Sequence, residues 1–254
     1  MFFSLIMARI QKYLRQIVKA KNDLKNKLFK IGIAYNEEFE LHDNELKELI
    51  LPCHFGILFF SEYSNILFEK LKAHLNQVFD SFFFDIVCIG EYSFSNQLFS
   101  KGVKKEFKEI NKSLVKMKIH PTNKFYQILI NKRIEANLGM ILAITNLPLY
   151  SSNDDNIIFL FGETNLKHHC CVVSSLKLKE SFYNRQKDRN LFEERLIKEI
   201  THEIGHLILG PDHCYEKTCV MQYSSEVKEI DNKNKTFCTK CKLKLKQLRE
   251  TYNF

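Results

Sequence analysis

From about residue 56 onward, short apolar runs alternate with stretches of helical spacing. Ile57 to Phe60 and Phe82 to Ile89 read as buried strands, with a helix over Asn65 to Phe79 between them. A second helix is predicted over Thr122 to Ala136, capped by Thr122 just after Pro121. The strand Met140 to Thr145 follows, then strands over Ile157 to Phe161 and Cys170 to Leu176, and a long helix beginning near Leu191. Strands separated by helices predict an α/β fold built on a twisted, largely parallel sheet. Beyond Gly210 the periodicity fades, and no internal repeat is visible. Ahead of this region Ile6, Ile10, Tyr13, Leu14, Ile17, Leu24 and Leu28 fall near helical spacing, with Arg9, Lys12, Arg15 and Lys19 between them. That pattern predicts an amphipathic helix, which covers a core more often than it docks on a membrane or an acidic partner.

Charge changes the picture through its distribution. The formal net charge is +8, yet residues 1 to 30 carry eight Lys/Arg against one Asp, and residues 233 to 254 seven against one Glu. The span 31 to 232 holds 23 basic and 28 acidic residues, so the body of the chain is no electrostatic platform for nucleic acid. With 8 Gly and 4 Pro and no stretch rich in them, a flexible linker is not expected. No window approaches the roughly 18 consecutive apolar residues of a membrane span. Met1 to Met7 is short, lacks preceding positive charge and a small-residue cleavage site, and makes a poor signal peptide. A cytoplasmic location and a monomer are the resulting expectations, with no nucleic-acid partner.

Candidate chemistry enters in the long helix. His202 and His206, four residues apart, lie on one helical face, so both imidazoles can reach one metal ion. Glu203 can stand over water on that metal without being a ligand, as the general base of a hydrolase. Gly210 and Pro211 end the helix, and His213 arrives from another direction as a third ligand, leaving one coordination position open. Asp212 is the rival third ligand, since carboxylates also bind zinc at similar distance. Four cysteines follow in two close pairs, Cys214 and Cys219, then Cys238 and Cys241, the spacing of a structural zinc site in a reducing compartment. Two zinc ions per chain are therefore expected, one catalytic and one structural.

The run HEIGHLILGPDHCYEKTCVM over 202 to 221, followed by CTKC, resembles the archaemetzincins, whose signature joins an extended HExxH motif to a cysteine-rich zinc site and a CxM element. ILAITNLPLY, FLFGETN, VVSSLKLKESFY and LFEERLIKEITHEIGH resemble the strands and active-site helix of that family in the same order, and the resemblance spans roughly 56 to 245. It implies a metzincin-like mixed twisted sheet with an active-site helix and a small zinc-stabilised C-terminal subdomain. It also implies zinc metallopeptidase activity on peptide or protein substrates, with aminopeptidase action among its forms. Three segments follow: an N-terminal helical extension over 1 to 50, basic at its start; a catalytic α/β part over 51 to 210; and a cysteine-rich part over 211 to 254. Met221 matches the CxM element and is expected as the apolar turn beneath the zinc ligands. Tyr223, two residues on, is either an assistant to the developing oxyanion or a packed surface tyrosine. Val172 to Lys177 resembles the edge strand along which metzincins lay a peptide by strand addition. The chain departs from the family by one extra residue between His206 and the third His. Counted from His206, the family position falls on Asp212, so the turn through Leu209, Gly210 and Pro211 has to compensate for His213 to bind. A weakened pseudoenzyme, or a zinc-ribbon-like module presenting a basic tail to nucleic acid, are the alternatives.

Other metal-like residues fit packing better. His168, His169, Cys170 and Cys171 alternate faces along a strand and cannot converge on one ion. Cys53 and Cys88 read as small hydrophobes, His42, His54, His74 and His120 share no ligand spacing, and Glu199 reads as a solvated helix carboxylate.

Overall fold

Strand β1 (Cys53–Phe60) carries apolar side chains at consecutive positions because both faces of its sheet are covered. The structure is a computed structural model that describes residues 49–60, 64–93, 102–110, 113–152 and 157–254. The amphipathic helix expected over 5 to 30, nearly all of the extension over 1 to 50, and His42 lie outside the described residues. In chain order β1 is followed by α1 (Asn65–Val78), β2 (Phe83–Glu91), β3 (Lys104–Ile110), β4 (Ser113–Pro121), α2 (Thr122–Glu135), β5 (Met140–Thr145), β6 (Leu149–Tyr150), β7 (Ile158–Leu160), β8 (Gly162–Asn165) and β9 (Cys170–Ser174). Helices α3 (Arg189–Leu209), α4 (Val227–Asn232) and α5 (Thr239–Tyr252) complete it.

The main sheet has five strands in the order β2-β1-β5-β9-β8, parallel throughout except for β8, which runs antiparallel to β9. On one face Ile57, Phe59, Leu142, Ile144 and Val173 pack against Phe68, Leu71 and Leu75 of α1 and Leu196, Ile200 and Ile204 of α3. On the other, Leu58, Phe60, Ile141, Ala143 and Val172 meet Phe125, Tyr126 and Leu129 of α2. The result is a three-layer mixed α/β fold. Adjacent strand residues serve opposite layers, which is why Cys170 and Cys171 fall into different cores.

Four features of the fold depart from the sequence reading or go beyond it. The segment Val172 to Lys177 is not an edge: β9 pairs with β5 on one side and β8 on the other, and the antiparallel edge is β8. Only four residues long and nearly devoid of aliphatic side chains, β8 gives no strand signal. Second, β3 and β4 form an antiparallel hairpin that joins β6 and β7 in a four-stranded sheet. Its dense lysines obscure the alternation. Third, the N-cap of α2 is Pro121, and Thr122 lies inside the helix with its hydroxyl against Ser152. Fourth, the region beyond Gly210 contains α4 and α5. Its apolar residues Val220, Met221, Val227, Ile230, Phe237 and Leu245 extend the same core that holds α3. No helix among the described residues is long and apolar enough to cross a membrane.

Candidate metal centre

Helix α3 starts on Asp188, whose carboxylate accepts from the Leu191 N–H at 2.9 Å, and its C-terminal half is buried on nearly every side. That burial carries His202 and His206 into the interior one turn apart. The helix ends at Gly210, with φ 90° and ψ −171°, a region open essentially to glycine alone. This conformation, rather than an αL turn, redirects the chain so that His213 returns over the helix despite the extra residue. The Nε2 atoms of His206 and His213 lie 3.1 Å and 3.3 Å from Nε2 of His202. Asp212 is not part of the group.

The other ring nitrogens decide the tautomer. Nδ1–H of His202 donates to the Val220 carbonyl at 2.8 Å, and Nδ1–H of His206 to the Gly210 carbonyl at 2.9 Å. Nε2 of His202 and of His206 therefore turns a lone pair toward the common centre, while Nδ1 of His213 is buried without a hydrogen-bond partner. Burial drives the three imidazoles to the neutral form, His206 down to about 4 and His213 to about 3. His202 falls well below its ordinary value for the same reason, reinforced by Lys233. A tetrahedral ion with metal–nitrogen bonds of about 2.0–2.1 Å spaces its ligands about 3.3–3.4 Å apart, so neutral nitrogens at these distances fit zinc. Met221 is buried directly beneath: a Cβ on Gly205 would collide with its Sδ, so the thioether rests on the helix between the two ligands.

The cysteines form a second group. Sγ of Cys214 lies 3.7 Å from Sγ of Cys238, Sγ of Cys219 lies 3.8 Å from Sγ of Cys241, and all four sulfurs are within 4.8 Å of one another. None is in a disulfide. Thiolates at about 2.3 Å from zinc stand about 3.8 Å apart, so the four sulfurs also fit a tetrahedral ion. Backbone N–H groups of Glu216 and Cys238 point at the sulfurs of Cys214 and Cys219. Against the effect of burial, the Cys241 backbone and neighbouring thiols bring the Cys238 thiol down to about 7.

His202 and His213 open onto a cleft of about 310 Å³ lined by Ile157 to Gly162, Lys108, Lys177, Glu199, Glu203, Tyr223 to Ser225 and Lys233. Glu203 is buried on its floor; the Thr164 hydroxyl donates to Oε2 at 2.5 Å. Burial and then the Glu199 charge push its carboxyl well above the usual range. Tyr223 packs edge-on to His213 with ring centres 5.3 Å apart and stays 45 % exposed. Glu199, expected in solvent, is only 5 % exposed, because the C-terminal segment folds back over that face of α3. Nothing in the sequence pointed to Lys177, Lys233 or Thr164: each stands alone in its own segment, and only folding assembles them. His54, His74 and His120 join neither ligand group.

The geometry has counterparts. An archaemetzincin from Sulfolobus acidocaldarius is 45 % identical over 91 residues, covering 36 % of this chain and 50 % of that protein. One from Methanocaldococcus jannaschii is 35 % identical over 121 residues, covering 48 % and 65 %. The chain thus spans about half to two thirds of these relatives. The crystal structure of an archaemetzincin from Methanopyrus kandleri superposes with a TM-score of 0.58 at 21 % identity, over 78 % of this chain and 95 % of that one, which establishes the shared fold. The sequence pattern of peptidase family M54 matches residues 103–247, a stretch that runs from the hairpin through β8 and α3 to both ligand groups and covers more than half of the 254 residues; the chain belongs to that family.

Proposed function

We propose that the protein is a zinc metallopeptidase in which His202, His206 and His213 hold a catalytic zinc, Glu203 is the general base, and Cys214, Cys219, Cys238 and Cys241 hold a structural zinc. The observation that carries this reading is the convergence of three Nε2 atoms of neutral imidazoles beside a buried carboxylate in an open cleft. When bound, zinc supplies a Lewis acid for the scissile carbonyl and lowers the pKa of its water toward about 7. Glu203 takes the proton of the attacking water and delivers it to the leaving amine. Thr164 restrains Oε2, which leaves Oε1 as the proton-accepting atom. The carbonyls of Val220 and Gly210 keep the imidazoles in the ligating tautomer.

Strand β8 and the preceding β7 line the cleft wall as the last strands of their sheets, a position suited to binding an extended peptide through its backbone. The cysteine group fixes the loop bearing His213, since Cys214 is its neighbour and the Cys214 N–H donates to the Met221 carbonyl at 2.9 Å. The family resemblance supports aminopeptidase action, under which N-acetylation of a peptide abolishes its cleavage.

Metal content and turnover test the reading together. The wild type should hold two zinc ions, His202→Ala and His213→Ala one, and Asp212→Ala two. Glu203→Gln should keep both while kcat falls about 10²–10⁴-fold. Zinc held at the cysteines alone under zinc-replete conditions, or full turnover in Glu203→Gln, refutes it.

A further inference from the structure

Three lysines from three separate elements converge on the cleft beside the histidines: Lys108 from β3, Lys177 from the turn after β9, and Lys233 immediately after α4. Two are deeply placed, Lys177 at 7 % exposure and Lys233 at 4 %. Burying an ammonium costs several kcal/mol unless a counter-charge is supplied. Lys177 is partly compensated: Nζ donates to the Phe159 carbonyl at 2.6 Å and stands 3.8 Å from the centre of the Phe161 ring. The Lys233 ammonium makes no hydrogen bond or contact ion pair with any described residue; the Glu199 and Glu203 charges act on it from a distance, against its burial. The Ser224 hydroxyl, also lining the cleft, is buried without a partner. Three lysines face two glutamates across the cleft, and a bound metal would add positive charge.

Such a set of inward-facing, incompletely satisfied donors is arranged to receive an anion from the cleft. The hairpin that supplies Lys108 is itself basic, bearing Lys104, Lys105, Lys116 and Lys118 as well. Burial, then Lys108, pushes Lys177 down to about 7, a drop that a carboxylate beside it would oppose.

We propose that the cleft contains a subsite for a carboxylate carried by the peptide substrate, bound by Lys233 and Lys177 with Ser224 as a neutral donor and Lys108 at the mouth. The proposal rests on the peptidase reading for its substrate class. The carboxylate has two sources, an Asp or Glu side chain next to the cleaved bond or the terminal carboxylate of a short peptide, and they are separable.

The test uses the full zinc-loaded chain with Glu203→Gln, so that peptides bind without turnover, and isothermal titration calorimetry with two matched pairs. One pair is amidated and differs by Glu against Gln. The other has neutral side chains and ends in a free carboxylate or an amide. The carboxylate member of at least one pair should bind about tenfold more tightly, the scale of a charge-assisted hydrogen bond. The pair that discriminates names the source. Discrimination should vanish on Lys233→Gln and shrink on Lys177→Gln; if either variant does not fold, Lys108→Glu at a half-buried position should reduce it. Equal affinities in both pairs, or no binding by any of the four peptides, overturns the subsite. With Glu203 intact, indiscriminate hydrolysis of the same peptides removes the subsite and leaves the peptidase. Discriminating binding without hydrolysis does the reverse.

Discussion

At Gly162 a Cβ would lie 2.6 Å from Oε1 of Glu203 and 2.8 Å from its Cδ, so any larger residue displaces the carboxylate from the position in which Thr164 holds it. Gly162→Ala should therefore leave the fold and the zinc content intact while kcat falls about 10²-fold, the cost of misplacing a reacting group by about 1 Å. Kinetics and metal analysis on one preparation check this, and an unchanged kcat would remove Glu203 from the proton-transfer step. Individual residues differ in how legible they were. His202, Glu203 and His206 follow from helical spacing alone, because the periodicity of a helix fixes which side chains share a face. The placement of His213 follows from the backbone of Gly210, which spacing cannot supply. Counting from His206 favoured Asp212, and imidazole chemistry favoured His213; the glycine-only φ of 90° brings His213 to the other two imidazoles. Glu199 was misread as solvated because the covering residues come from far along the chain.

Helix α3 is fastened at its first half as well as at the end that bears the histidines. Arg195, 1 % exposed, makes a bidentate pair with Asp231 of α4 at 2.6 and 2.7 Å, meets Glu180 at 2.6 Å, and donates to the Leu178 carbonyl at 3.0 Å. Lys198 adds a bond to the Asp231 carbonyl at 3.0 Å. Helix α3 is thereby tied to the segment bearing Lys233 and to the turn that follows Lys177. Arg195→Met should destabilise the protein by about 2–3 kcal/mol, less than the full cost of breaking a buried pair because Asp231 and Glu180 keep some solvent. Arg195→Lys should recover only part of the loss, since an ammonium cannot reproduce the planar two-bond geometry. Urea unfolding of the three proteins measures both effects, and full recovery by lysine would show that charge alone matters there. Among the elements, α1, α2, α3, β1 and β5 were readable from periodicity and length. The hairpin β3–β4, the short strands β6 and β8, and helices α4 and α5 were not. Their residues are too polar or too few to outweigh local ambiguity, and tertiary pairing decides their state.

The molecule as a whole buries ionisable groups that couple its stability to pH. Glu163 lies wholly inside, with the Tyr126 hydroxyl donating to Oε1 at 2.9 Å. Burial pushes its carboxyl up to about 7 against the hydrogen bonds of Thr122, Ser151 and Tyr126. The folded state then holds more protons than the unfolded chain between the ordinary carboxyl value of 4.5 and about 7. Its contribution to stability therefore declines as pH rises through that window and levels off above it. Relative to Glu163→Gln, wild-type stability should fall with a slope approaching about 1.4 kcal/mol per pH unit there. Any other pH dependence is common to both proteins and cancels, so the difference between their unfolding free energies isolates Glu163. A difference independent of pH would mean that the carboxyl is solvated.

By itself the sequence determined the long helix with its paired histidines, the two clusters of candidate ligands and the α/β layering, because these rest on short-range rules: helical spacing, paired cysteines, and apolar runs long enough to be covered on two faces. Only the tertiary structure decided which strand forms the sheet edge, where His213 points, and that Lys108, Lys177, Lys233, Glu199 and Ser224 line one cleft. These features depend on segments distant in sequence meeting in space, and the free energy that brings them together comes from a core they do not themselves compose.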